Sequence, residues 1–194
     1  GNALEQVKKR ALILSLLTWL PLLILSFISG KALSGSVTIP FIEDIGVHIR
    51  YLVAVPLMIF AELLTHQRMR IVVKQFLARK LIPNDQKERF HAAINSSLKL
   101  RNSLYAEAAI LLFVFIVGVH FVWKPIAILD TNAWYTSAGS NGNNLTLAGF
   151  WFGYISNPLF QFLILRWYYR IFIWTRFLWQ VSRIELNLNP LHPD

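Results

Sequence analysis

Residues 46–81 read GVHIRYLVAVPLMIFAELLTHQRMRIVVKQFLARKL. From Gly46 to Leu64 the stretch is apolar apart from His48, Arg50 and Glu62. A helix of that length is roughly 28 Å long, close to the depth of a bilayer's hydrocarbon core. Beyond it Arg68, Arg70, Lys74, Arg79 and Lys80 are set among Ile71, Val72, Val73, Phe76, Leu77 and Leu81. That pattern predicts a helix that leaves the membrane with one side still apolar. Cations left at the end of an apolar run stay in the cytoplasm during insertion, so the same residues predict both a span and its direction.

Three more runs match this one. Ala11 to Ser29 follows Lys8, Lys9 and Arg10; it is too long for the apolar core of a signal peptide and lacks a clean Ala-x-Ala site, so it reads as an uncleaved span. Gly30 to Glu43 is a loop with Gly30, Ser34, Gly35, Ser36 and Pro40 as breakers. After Ile82, Pro83 and Asn84, the Asp85-x-x-Glu88 spacing predicts a capping box and a helix that becomes fully apolar from Ala108 to Trp123. The next loop, Pro125 to Asn144, carries Asp130 alone as a charge. A fourth run, from Leu147 to Leu165, leads into an aromatic stretch punctuated by Arg166, Arg170, Arg176 and Arg183. On a helical wheel these arginines and Gln180 share roughly 140° of arc, opposite Trp167, Tyr168, Ile171, Trp174, Phe177, Leu178 and Val181.

The expected fold is therefore all-α and polytopic. About four transmembrane helices are predicted at 11–29, 46–64, 105–123 and 147–165, with a cytoplasmic helical hairpin over 66–104 and an amphipathic extension over 166–186. Helices two, three and four are each predicted to run about 35 to 40 residues, longer than the bilayer requires, and so to project from it. The connector between spans two and three holds nine Lys and Arg residues, whereas Lys31 and Lys124 are the clear loop cations on the other side. A bacterial inner-membrane location with both termini cytoplasmic follows. Trp123, Trp134, Tyr135, Trp151 and Tyr154 are predicted to form an outer aromatic belt, and Trp167, Tyr168 and Tyr169 an inner one.

Composition agrees with a lipid environment. Hydrophobic residues are 55% of the 194 and charged residues 15%, against roughly 25% charged in soluble domains. The net charge of +9 could suggest nucleic acid as a partner. Its placement between apolar runs argues for membrane topology instead, so the bilayer is the expected partner and nucleic acid is not. With no cysteine, disulfides and thiolate metal sites are excluded.

Ionisable and polar groups at membrane depth are the functional candidates. Glu62 and Glu107 fall near the inner ends of their helices, within reach of a layer holding Arg101 and Arg166. They read either as structural ion pairs or as a proton or cation site. Near the outer side, His48, Arg50 and His120 form a second candidate group. Asn157, beside Pro158 and followed by Gln161, is the most polar point at mid-depth. Pro21, Pro56 and Pro158 interrupt helices where neighbouring protein or water must satisfy freed carbonyls. No His-Glu-x-x-His, Gly-x-Ser-x-Gly or phosphate-cradling Gly-rich loop occurs, and His66 and His91 lack neighbouring carboxylates. Neither enzyme activity nor a cofactor or metal is expected.

The segment Leu186-Asn187-Leu188-Asn189-Pro190-Leu191-His192-Pro193-Asp194 resembles a Leu-x-Leu-x-Pro-x-His-Pro-Asp stretch in a group of uncharacterised bacterial multi-pass membrane proteins. The resemblance implies that a Gly-rich segment and further spans follow, so that the chain is truncated at Asp194; it implies no activity. Two functions remain open from the residues. One is an oligomeric channel or transport component, from the kinked helices around Asn157 and Gln161. The other is a membrane-anchored scaffold, itself a homo-oligomer or part of a membrane complex, that binds a partner protein or anionic lipid through Arg170, Arg176 and Arg183.

Overall fold

A computed structural model of the chain describes residues 2–33, 35, 37–79, 81–123, 133–139 and 142–185. Ser34, Ser36, Lys80, Lys124, Pro125, Asp130 and the 186–194 segment lie outside them, with the expectations attached to each. Helix α1 spans Asn2–Ile28 with Pro21 inside it. It stops where Gly30 takes a left-handed φ of 69°. There Lys31 N–H donates to Ser26 C=O at 3.0 Å and Gly30 N–H to Phe27 C=O at 3.0 Å, the paired bonds of a Schellman stop.

Asp44 opens the next helix by accepting the Val47 N–H at 3.1 Å. Helix α2, Ile45–His48, passes into π-helical turns over Ile49–Ala54 and then into α3, Val55–Ala78. Together they form one helical stretch, Ile45–Ala78, of 34 residues. Pro56 accounts for the widened turns: it has no N–H, and its ring presses on the carbonyl four residues back, that of Leu52. Pro158 stands in the same relation to Tyr154, inside the π turn Phe152–Ser156.

A 3-10 turn at Asn84–Gln86 precedes α4, Lys87–Arg101. The helix starts within two residues of its predicted position, but the capping box does not form. Gln86 holds the N-cap without a side-chain bond, and Asp85 accepts from the Gln86 amide at 3.2 Å instead. The predicted uninterrupted third helix is also divided. Asn102 and Ser103 end α4, and the Ser103 hydroxyl accepts the Ala106 N–H at 3.3 Å, capping α5, Leu104–Phe113. From there π-helical turns continue over Val114–Trp123.

The loop expected before the last helix contains a two-stranded antiparallel hairpin, β1 Thr136–Gly139 with β2 Gly142–Leu145, in which Thr136 faces Leu145. Thr146 then caps α6, Leu147–Trp151, by accepting the Gly149 N–H at 3.0 Å. After the π turn, α7 runs over Asn157–Ser182. Among the described residues three helices are long and apolar enough to cross a membrane: Leu4–Ile28, Ile45–Ala78 and Leu104–Phe121. The fourth predicted run is helical throughout, but Asn157, Pro158 and Gln161 dilute its hydropathy and it is not one of these three.

The chain divides into two compact units: Gly1–Ala61 with Ala108–Leu165, and Glu62–Glu107 with Arg166–Asp194. The first has an aromatic core of Phe41, Tyr51, Trp123, Trp134 and Phe152 with Leu22, Val47 and Val55. Trp134 meets Phe41 edge-on at 5.0 Å, and Trp123 meets Phe152 at 4.9 Å. Trp123 and Trp134 are 5% and 0% exposed, so the predicted outer belt loses both to this core. Trp134 is stapled from the other side by its Nε1–H, which donates to Asp44 Oδ2 at 3.0 Å.

Small residues let backbones approach in this unit, as is general between helices in lipid. Ser156 donates to the Thr18 carbonyl at 2.7 Å. A methyl group at Gly149 would strike the Tyr135 carbonyl, at Gly153 the Trp123 indole, and at Gly118 the Gln161 amide. The outward surfaces are the reverse: Leu12, Ile13, Ile28, Leu57 and Leu112 are all at least 60% exposed. Apolar exposure on this scale suits helices that face acyl chains. The second unit has its own core, in which Phe90 and Ala93 of α4 meet Phe177 and Val181 of α7, with Ile82 and Ile184.

Candidate functional site

In the second unit, Arg166 and Arg170 are four residues apart on α7, which puts both guanidinium groups on one helix face. Two carboxylates meet them. Arg170 Nη2 lies 2.6 Å from Glu62 Oε1, while Arg166 Nη2 lies 3.9 Å from the same oxygen and 3.4 Å from Glu107 Oε1. The predicted pairing of Glu62 and Glu107 with Arg166 is therefore present, and Arg170 joins it. The side chains in this hub keep between 26% and 40% of their exposure, so water still screens each pair. Burial pulls the Arg170 guanidinium below its ordinary pKa, and Glu62 pulls it back up. An arginine so placed remains a cation.

Beside the hub lies a groove of about 440 Å³, within the roughly 300–1,000 Å³ usual for small-molecule sites. Its wall is apolar and comes from three helices: Met69 and Val73 of α3, Ile94 and Leu98 of α4, and Trp167, Ile171, Trp174 and Phe177 of α7. Arg70, Lys74, Arg101 and Arg170 bring four cations to it, against Glu62 as the one carboxylate among the described lining residues. Thr65 and Ser97 are its neutral polar groups.

The other two arginines predicted to contact lipid or a partner have intramolecular roles. Arg176 donates to the Ser96 hydroxyl at 3.1 Å, tying α7 to α4, and Arg183 lies over the Trp179 ring at 4.1 Å. Tyr169 donates to the Leu100 carbonyl at 3.0 Å, a second tie between the same helices. Trp167 and Tyr168 are exposed.

In the first unit, Arg50 is brought to Asn157 at 3.4 Å and lies over the Phe160 ring at 5.4 Å. Gln161 packs against Gly118. His48 accepts from the Trp19 indole at its Nδ1 at 2.9 Å, and its Nε2 is 3.1 Å from the Ile42 carbonyl. Taken together these bonds assign a neutral imidazole with its proton on Nε2. His120 lies beside Phe121, ring edge to ring face. Among the described residues no three His, Cys, Asp or Glu side chains converge as a metal site would need.

Comparison with protein-family models, with curated proteins and with solved structures finds no match. The geometry of the hub and groove is what bears on function. Sequence reading reached Glu62, Glu107, Arg101 and Arg166 through their charge near the inner ends of the spans, and Arg170 as a lipid or partner contact on the amphipathic extension. It missed Met69, Ile94, Leu98 and Ser97 as groove residues. The i, i+4 spacing of Arg166 and Arg170 was available as the signal for their shared partner.

Proposed function

We propose that the chain is a bacterial inner-membrane protein of about four spans, with both termini and the 66–104 hairpin in the cytoplasm, that serves as an anchored platform for an anionic partner. The observation that carries this reading is the charge imbalance of the groove. Among the described residues its lining holds four cations and one carboxylate, and that carboxylate is already shared between Arg166 and Arg170. A surplus of positive charge over an apolar wall complements a ligand that is negative and partly apolar, such as an anionic lipid or an acidic amphipathic segment. Nothing in the hub supplies a nucleophile beside a base, which favours binding over catalysis.

The test uses the full chain in neutral detergent, titrated with an acidic amphipathic peptide and with phosphatidylglycerol. At least one should bind with an affinity that falls as salt rises. Replacing Arg70, Lys74 and Arg101 by Gln should weaken that binding by about tenfold or more. Absence of salt-dependent binding to both probes would overturn the proposal.

A second reading, an oligomeric channel or transport component, is favoured by Arg50, Asn157 and Gln161, which set polar groups among apolar helices of the first unit. It requires solute or ion flux through liposomes that hold the full chain.

A further inference from the structure

We infer that the groove of the second unit is a binding site for one anionic glycerophospholipid, with its phosphate among Arg70, Lys74 and Arg101 and an acyl chain along Met69, Leu98 and Trp174. The inference rests on the platform reading and names its ligand. Four observations select this occupant. The wall is built from aliphatic and aromatic side chains on all three helices, so a free phosphate would leave most of it in contact with water. The cations disfavour a zwitterionic lipid, whose own ammonium group would meet Arg70, Lys74 and Arg101.

An extended acidic peptide is poorly served as well. Its backbone amides would need acceptors along the groove, and among the described lining residues the side-chain oxygens besides Glu62 are the two hydroxyls of Thr65 and Ser97, too few for an extended strand. A lipid tail has no such demand. Access also suits a lipid: Glu62 and Trp167 begin the groove directly after the apolar runs that end at Ala61 and Leu165.

The experiment places the full chain in phosphatidylcholine nanodiscs doped with phosphatidylglycerol or phosphatidylcholine, each carrying the same photoactivatable acyl chain. Peptide mapping should find phosphatidylglycerol attached at Met69, Val73, Leu98 or Trp174, with at least roughly tenfold less phosphatidylcholine at the same sites. Leu98→Trp fills the groove without altering its charge, and Leu98 is 42% exposed, so folding should tolerate it. It should abolish attachment at Met69 and Trp174 while salt-dependent binding of the acidic peptide, where present, survives. Replacing Lys74 and Arg101 by Gln should instead equalise the two lipids.

Equal attachment of both lipids, or displacement of phosphatidylglycerol by inorganic phosphate at concentrations near that of the lipid, would overturn the inference. So would binding confined to the acidic peptide, which would leave the platform reading in place. Absence of both lipid attachment and peptide binding would end the two together.

Discussion

Single atoms decide how closely the helices of the first unit can meet. Gly153 lies against Trp123 so tightly that an added Cβ has nowhere to go, because the indole is wedged between Phe152 and Tyr135. Gly153→Ala should destabilise the protein by about 1–3 kcal/mol, the usual cost of overpacking, read as a lower midpoint in thermal unfolding in detergent. An unchanged midpoint would show that Trp123 can yield. This contact was not legible in the sequence. A glycine beside aromatic residues in an apolar run says that something approaches closely, but not what. Glu62 and Glu107 were legible, because a carboxylate at the end of an apolar helix must find a cation. Which cations it finds depends on helix rotation, and the sequence carried that only as the four-residue spacing of Arg166 and Arg170.

Among the elements, the informative differences are at helix ends. The sequence offers Asp85-x-x-Glu88 as a cap, yet the bond that starts a helix here is made by Ser103, which interrupts what periodicity reads as a single long helix. Ser103→Ala should therefore cost about 1 kcal/mol and speed amide hydrogen exchange at Tyr105 and Ala106. Asp85→Ala should stay within about 0.5 kcal/mol of the parent. The reverse ranking would mean that the capping box forms after all. Apolar runs were easy to read because lipid imposes a length on them, and the three that meet the requirement occupy the expected places. The hairpin Thr136–Leu145 was not readable, since its Asn, Gly and Ser residues signal turns without saying whether flanking residues pair.

At the scale of the whole molecule, sidedness is the claim most open to direct measurement, and a chain with no cysteine is well suited to it. Single cysteines at Asn144 and at Arg79 should respond oppositely to a membrane-impermeant maleimide applied to spheroplasts. Asn144→Cys should label in intact spheroplasts, and Arg79→Cys only after the membrane is opened. Labelling of Arg79→Cys from outside would invert the proposed topology.

Each unit is built from two stretches of chain that are far apart in sequence, and synthesis runs from one end to the other. While the ribosome is still making the later spans, Phe76, Phe90 and Ala93 have been translated but Phe177 and Val181 have not. The helices of the second unit that come first must wait with their oily side uncovered until α7 emerges to close it. Among nascent chains of different lengths, those halted before residue 177 should be the ones that chaperones hold and proteases cut.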